Sequence, residues 1–351
     1  MLVINYDSNI TQNTYDSLKA SDILTYLRHE DKVAIKPNLV NSNPASDGAT
    51  THPEVVEGII LFLKEYGVKD ISIIESSAIG ISTKRSFKNC GYENLSHKYQ
   101  IPLYDLKNDE VVTRKHSGLT LDLCKKALDT DFLINVPVLK SHCQTRMTCN
   151  LKNLKGCIPD DEKRRYHSLG LHKPIAALNE LMKTSYCVVD GICGDLSFEE
   201  GGTPVTSNRI IVGQNPVTVD SFCAELIGYR PDDIAHLKLA REIGIGEYFS
   251  STTKLIELNP DNKPLNKAAG NRMAERYQRF INDDSACSVC YSSLIYALYR
   301  FGGNINKKLY IGQGYQGKTL DGLGIGNCAS GCSKYVPGCP PKAVDIINLF
   351  Y

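Results

Sequence analysis

Five cysteines crowd the last sixty-five residues, and their spacing suits a metal centre. They read Cys287-x2-Cys290, then Cys328-x3-Cys332-x6-Cys339-Pro340-Pro341. A C-x2-C pair grips one corner of a metal site from a single turn, and distant cysteines complete a set of four. Zinc and a cubane iron–sulfur cluster both accept four thiolates. The proline directly after the last cysteine recurs at cluster sites. The second group lacks the close pairing of a zinc knuckle. These features favour a [4Fe–4S] cluster on Cys287, Cys290, Cys328 and Cys339, with Cys332 as the alternate fourth ligand. Zinc, or no metal at all, are the competing readings. The tail's many glycines suit backbone that wraps closely around an ion, and equally an irregular loop.

The second chemical concentration is basic. Residues 135–167 carry Lys140, His142, Arg146, Lys152, Lys155, Lys163, Arg164 and Arg165, against Asp160, Asp161 and Glu162. Basic groups following an apolar strand suit an anion: a carboxylate, a phosphate, or a cofactor carrying either. His142 titrates near neutrality and can move protons. Lys140, His142, Lys152 and Asn153 are the candidate catalytic residues. The Lys163–Arg165 run reads instead as a solvated face, and His167 and His172 as local hydrogen bonders.

Something must position these groups. Residues 33–36 form a short apolar run that stops at Pro37-Asn38, a buried strand meeting a loop. Thr51 and Glu54 have capping-box spacing, Pro53 suits a first helical turn, and Gly67 suits the end. Residues 70–75 are the next strand. Strand, helix and strand at this spacing make a βαβ unit, and such units build parallel sheets. Further buried strands read at 132–139, 186–190 and 209–213. Helices read near 172–183, 217–228, 235–243 and, in the tail, 288–301. The expectation is an α/β fold: a mostly parallel sheet with helices on both faces, plus a small irregular Cys-rich segment. Residues 1–260 would form the first part and 261–351 the second, joined through the polar stretch 259–270. Lys36, Asn38, Glu75 and Asp190 fall at strand ends. Ligands of open parallel sheets bind beyond the carboxyl ends of the strands, so these four are candidate cofactor-binding residues.

Composition excludes several classes. The 351 residues are 42% hydrophobic and 23% charged with a net charge of +1, which is neither disordered nor strongly nucleic-acid-seeking. No P-loop string appears. The N-terminus lacks an export signal and no apolar run approaches the ~20 residues of a membrane span, so a cytoplasmic, membrane-free protein is expected. In a reducing compartment the eight scattered cysteines from Cys90 to Cys223 read as small core residues.

The strings KPNLV (36–40), THPEVVEGII (51–60), LKSH (139–142), LKNLKG (151–156), VVDGI (188–192) and NPVTVDS (215–221) resemble the domain-of-unknown-function 362 family. The resemblance runs in order over about residues 33–245. It implies iron–sulfur ligands, which members often carry. This chain lacks the run of four close cysteines that some relatives carry, so its ligands must come from the tail. The Gly338-Cys339-Pro340-Pro341 string is also similar to one in hydrogenase small subunits, where that cysteine binds a [4Fe–4S] cluster. The strand–helix–strand start is distantly similar to the lactate racemase family, whose members hold a nickel-bearing organic cofactor.

The sequence thus supports three functions. The first is a redox enzyme or electron carrier acting on a small anionic substrate or second cofactor at the lysine rim. The second is a non-redox isomerase or anion-binding protein with a structural cluster or zinc. The third is a docking or regulatory protein for a redox partner.

Overall fold

The computed structural model describes residues 1–116, 118–264, 273–303, 305 and 307–351. Eight strands form the main sheet: β1 (Leu2–Tyr6), β2 (Val33–Pro37), β3 (Ile71–Glu75), β4 (Leu103–Asp105), β5 (Phe132–Val136), β6 (Tyr186–Asp195), β7 (Pro204–Gly213) and β8 (Leu255–Leu258). Their spatial order is β8-β1-β7-β6-β5-β2-β3-β4. Strand β7 runs antiparallel to both its neighbours, β1 and β6, and the other neighbouring pairs are parallel.

The central strands are buried along their whole length, as expected where helices cover both faces. Alternate side chains enter opposite cores. Leu2, Ile4, Ala34 and Leu133 belong to one apolar cluster, whereas Val3, Ile35 and Ile134 belong to the other. The helix Pro53–Tyr66 closes the second core and ends at Gly67 with φ 95°, a left-handed cap that glycine adopts without Cβ strain. Helices His172–Leu181, Pro216–Leu226 and Ala235–Glu242 cover the first core.

Thr51 does not cap the helix that follows it. His52 occupies the N-cap position. The Thr51 hydroxyl instead accepts from Asn38 N at 2.8 Å and donates to Val136 O at 2.8 Å. It ties the loop after β2 to the end of β5, a long-range bond that local spacing cannot reveal.

The tail holds more regular structure than its glycine content suggests. Strands β9 (Ile281–Asp283), β10 (Leu309–Ile311), β11 (Leu320–Ile325) and β12 (Cys332–Val336) form a second sheet in that order, with all neighbours parallel. The helix Ser288–Phe301 connects β9 to β10. The stretches 312–319 and 326–331 return the chain with no α-helix. At Gly312 and Gly326, φ is 127° and 83°, and an added Cβ at Gly312 would stand 2.0 Å from Asp284 O. A third apolar cluster joins this sheet and its helices to Phe198 of the main body. The expected boundary stretch 259–270 runs into residues 265–272, which lie outside the described residues.

Candidate functional site

Residues beyond the strand ends of the main sheet and residues of the tail meet at one cleft. On the main sheet, β2, β3 and β5 end around a cleft of about 280 Å³. Its wall includes Lys36, Asn38, Glu75, Lys140, His142, Lys152, Asn153, Lys155, Lys163, His167, Glu199 and Glu200, and also Cys287 and Pro340 of the tail. The basic segment and the cysteine segment therefore share one cavity.

Lys36 and Glu75 form a fully buried ion pair, Nζ to Oε2 at 2.9 Å. Lys36 also donates to Pro37 O, while Leu39 N and Ser76 N donate to the carboxylate. Gly156 makes room for the pair, since a Cβ there would stand 1.9 Å from Glu75 Oε1. Asn38 donates to Asn153 Oδ1 at 2.9 Å, and Asn153 to Asn135 Oδ1 at 2.8 Å. Asn135 donates to Asn150 O at 2.8 Å. The chain of amides ends at Asp220, whose carboxylate accepts from the backbone N–H of Asn150 and Leu151. Asp220 thereby holds the short helix Asn150–Asn153, which carries Lys152. Burial pushes its carboxyl up to about 6.

Lys140 is buried and donates to Ala49 O at 2.7 Å and Glu199 O at 2.6 Å. Lys152 donates to Thr148 Oγ1 at 3.3 Å. The Lys155 ammonium lies 5.9 Å from the centre of the Tyr166 ring. Among the described residues no carboxylate pairs with any of these three. Burial pushes Lys140 down to about 7, with Lys152 adding to it. Lys152 falls to about 8 through burial. Lys155 falls to about 7 through burial, then Lys152 and Lys163. Glu199 and Glu200 of the same wall oppose the fall of Lys140, and Glu199 that of Lys152, from beyond ion-pair distance.

His142 and His167 are held well below the usual histidine range by burial and these lysines. His142 Nδ1 accepts from the Gln144 and Thr145 backbone N–H groups. The ring proton therefore sits on Nε2, which faces Glu199 Oε1 at 3.5 Å, outside hydrogen-bond geometry. Glu199 Oε2 accepts from Cys143 N. Burial and then Glu199 raise Glu200 to about 7. Among the described residues, Asn38 Oδ1, Glu199 Oε1 and Glu200 Oε1 are buried acceptors with no hydrogen-bond partner.

The residues singled out in the sequence distribute unevenly. Lys36, Asn38, Glu75, Lys140, His142, Lys152 and Asn153 all line the cleft. Asp190 does not. Its carboxylate is committed to the His52 backbone N–H and Nδ1, each at 2.8 Å, and to Ile192 N, so it fastens the loop before the first long helix. Lys163 reverses the solvated reading of its basic run: it is buried and reaches Ser76 O, Ser77 O and Asp160. Arg164 and Arg165 fit that reading, being partly exposed and paired with Asp161 and Glu162. Local sequence gave no sign of Glu199 or Glu200, and His52 was signalled only by lying inside the quoted THPEVVEGII string. Asp220 sits inside the quoted NPVTVDS string, which was its one available signal.

The cysteines follow the tail sheet. Cys287 lies just past β9, Cys328 just past β11 and Cys339 just past β12, all at carboxyl ends. Cys290 lies in the first turn of the helix that Cys287 caps. Burial raises the Cys287 thiol, and Cys339 and Cys328 add to the rise. Cys290 is raised by burial, then by Cys287, Cys339 and Cys328. Cys287 and Cys290 are thus each within electrostatic reach of both Cys328 and Cys339. Cys332 opens β12 at the opposite end of the sheet and is raised by burial alone. Among the described residues no three ligating side chains are drawn tightly enough for a single ion. Four thiolates on zinc at ~2.3 Å would stand ~3.8 Å apart. A cubane puts each thiolate on its own iron and spans a wider gap. Against the rise of Cys287 and Cys290, Gln313 and Gln316 side-chain amides donate to Cys287 and Cys328 Sγ at 3.8 and 3.6 Å, and Cys287 and Cys290 lie at the N-terminal end of the tail helix, where the helix dipole favours negative charge.

Residues 33–225 match the family model described as Domain of unknown function (DUF362). The chain belongs to this DUF362 family. The DUF362 match holds the cleft lysines, Glu75 and Asp220, and stops before the cysteine tail. A thylakoid-associated protein of Synechocystis sp. (strain ATCC 27184 / PCC 6803 / Kazusa) is 31% identical over 205 residues, 58% of this chain and 63% of that protein. The chain thus spans less than two thirds of that relative. Among solved structures, lactate racemase apoprotein from Thermoanaerobacterium thermosaccharolyticum aligns with TM-score 0.42 and 14% identity, over 69% of this chain and 57% of that one. A Thermotoga maritima protein aligns with TM-score 0.35 and 13% identity, over 51% and 49%. No helix among the described residues is long and apolar enough to cross a membrane.

Proposed function

We propose that this DUF362 protein is a cytoplasmic iron–sulfur oxidoreductase or electron-transfer protein acting on a small anionic substrate or cofactor. Cys287, Cys290, Cys328 and Cys339 would hold a [4Fe–4S] cluster. When bound, such a cluster supplies one-electron transfer. The observation that carries this reading is the shared wall: Cys287 and Pro340 line the same cleft as Lys140, Lys152 and Lys155. The lysines bind and orient the anion. Neutral His142 offers its Nε2 proton towards the cavity side of Glu199, and Glu200 is placed to give or accept a proton. Asn153 and Asp220 keep Lys152 in position. Exposed Cys339 offers a redox partner protein an approach at the surface.

The test is anaerobic loading with iron and sulfide, followed by dithionite reduction and electron paramagnetic resonance. The expected result is a visible charge-transfer band that bleaches and a reduced-cluster signal. A loaded cluster that resists reduction at all accessible potentials would sink the redox role. It would favour the non-redox alternative, for which the lysines near pH 7 beside Glu200 are the supporting observation.

A further inference from the structure

The anion can be specified further, and this step rests on the reading of the cleft as the ligand site. An ammonium has three N–H donors. Lys140 spends two on carbonyl oxygens and Lys152 spends one on Thr148, while no hydrogen bond engages Lys155 among the described residues. One, two and three donors therefore remain, on groups that no carboxylate contacts among the described residues, with Glu199 and Glu200 of the same wall offsetting part of their charge. A single carboxylate could compensate only one of these charges.

The donor type narrows the class. Among the described residues no arginine lines the cleft. Guanidinium forks match the flat two-oxygen edge of a carboxylate, whereas ammonium groups act as point charges around a phosphoryl group. The other wall offers acceptors instead: Asn38 Oδ1 and Glu199 Oε1 are buried without hydrogen-bond partners among the described residues. Such acceptors call for hydroxyl or amine donors on the ligand. The volume of about 280 Å³ is just under the ~300–1,000 Å³ range of small-molecule sites, which fits a small metabolite better than a dinucleotide.

We infer that the cleft ligand is a small phosphomonoester bearing a hydroxyl or amine, its phosphoryl dianion held by Lys140, Lys152 and Lys155 and its donor group by Asn38 and Glu199. The lowered affinity of these lysines for protons agrees with a charge cluster awaiting a dianion.

Isothermal calorimetry on the full chain tests this, with inorganic phosphate, glycerol 3-phosphate, malonate and acetate as probes. Glycerol 3-phosphate should bind at least tenfold tighter than acetate or malonate, and tighter than inorganic phosphate. Lys152→Gln and Lys155→Gln should each weaken it about tenfold, the ~1.4 kcal/mol of one charge-assisted contact. Lys98→Ala, an exposed residue paired with Glu57, should leave it unchanged. Circular dichroism on each variant separates lost binding from lost folding. Malonate binding as tightly as the phosphates, or no saturable heat from any probe, would overturn the inference. The readout does not use the thiols. Phosphate-ester binding by a chain that takes up no iron would uphold the inference while defeating the iron–sulfur reading, and iron uptake without such binding would do the reverse.

Discussion

The two rims solve the same topological problem with opposite chemistry. Both lie at the carboxyl ends of parallel strands, where backbone direction and loop length leave space for a ligand. The main-sheet rim is built of charge sunk into the core. Lys36, Glu75 and Lys140 are almost completely buried there, fixed by ion pairing, carbonyls and an amide chain. The tail rim is built of thiols at or near the surface: Cys287, Cys290 and Cys328 are half-buried and Cys339 is exposed. Buried charges are costly to disturb even when no ligand is present. Thiols near solvent are cheap to disturb unless something binds them. The first rim should therefore fail as a folding defect and the second as a binding defect.

The largest expected effect is on the main-sheet rim. Glu75→Gln leaves the Lys36 ammonium buried without its partner and should cost about 3–5 kcal/mol in chemical denaturation. Cys339→Ala, in the unloaded chain, should stay within about 0.5 kcal/mol. Equal losses would erase the distinction between the rims.

A smaller effect concerns pH. Lys140, Lys152 and Lys155 lose protons near pH 7–8 when folded, against ~10.4 for an unperturbed lysine. Between pH 7.5 and 8.5 the unfolded chain therefore binds more protons at these three positions, which raises stability with pH, while buried thiols such as Cys124, Cys157 and Cys290, held above the usual thiol range, act in the opposite sense. His142 and His167 are already neutral there, and Glu200, near 7, is largely ionised. Lys152 and Lys155 are half-exposed to the cleft, so screening limits the gain to about 1 kcal/mol. Thermal midpoints of the unloaded wild type and of Lys152→Gln at the two pH values read it, since the thiols act equally in both and the wild type should gain more from the rise in pH. An equal change in the two proteins would show the lysine to be better compensated than the structure implies.

Much of the scaffold was legible because it rests on local pattern. The buried runs at 33–36, 70–75 and 186–190 became strands, and the tail helix spans 288–301 as its periodicity suggested. Glycine caps at Gly67 and Gly302 closed the helices. What escaped was set by long-range geometry. Thr51 had the spacing of a cap and was captured by Asn38 and Val136 instead. Lys163 sat in a run that reads as solvated, yet the turn of its helix drives it under the loop after β3. Asp190 ended a strand like its neighbours, but His52 claimed it. The glycine-rich tail hid four short strands, since parallel pairing has no local signature in segments of three to six residues. The choice between Cys328 and Cys332 had little basis in spacing, and the sheet separates them by putting them at opposite strand ends.

That separation gives the most direct test of the central claim, that the carboxyl-end thiols hold one inorganic centre. Iron, acid-labile sulfide and zinc should be measured per chain after anaerobic loading, for the wild type, Cys328→Ala and Cys332→Ala. The account predicts about four iron and four sulfide in the wild type and in Cys332→Ala, with severe loss in Cys328→Ala. One zinc per chain without sulfide, or a Cys332→Ala protein that loses its iron while Cys328→Ala keeps it, would contradict it.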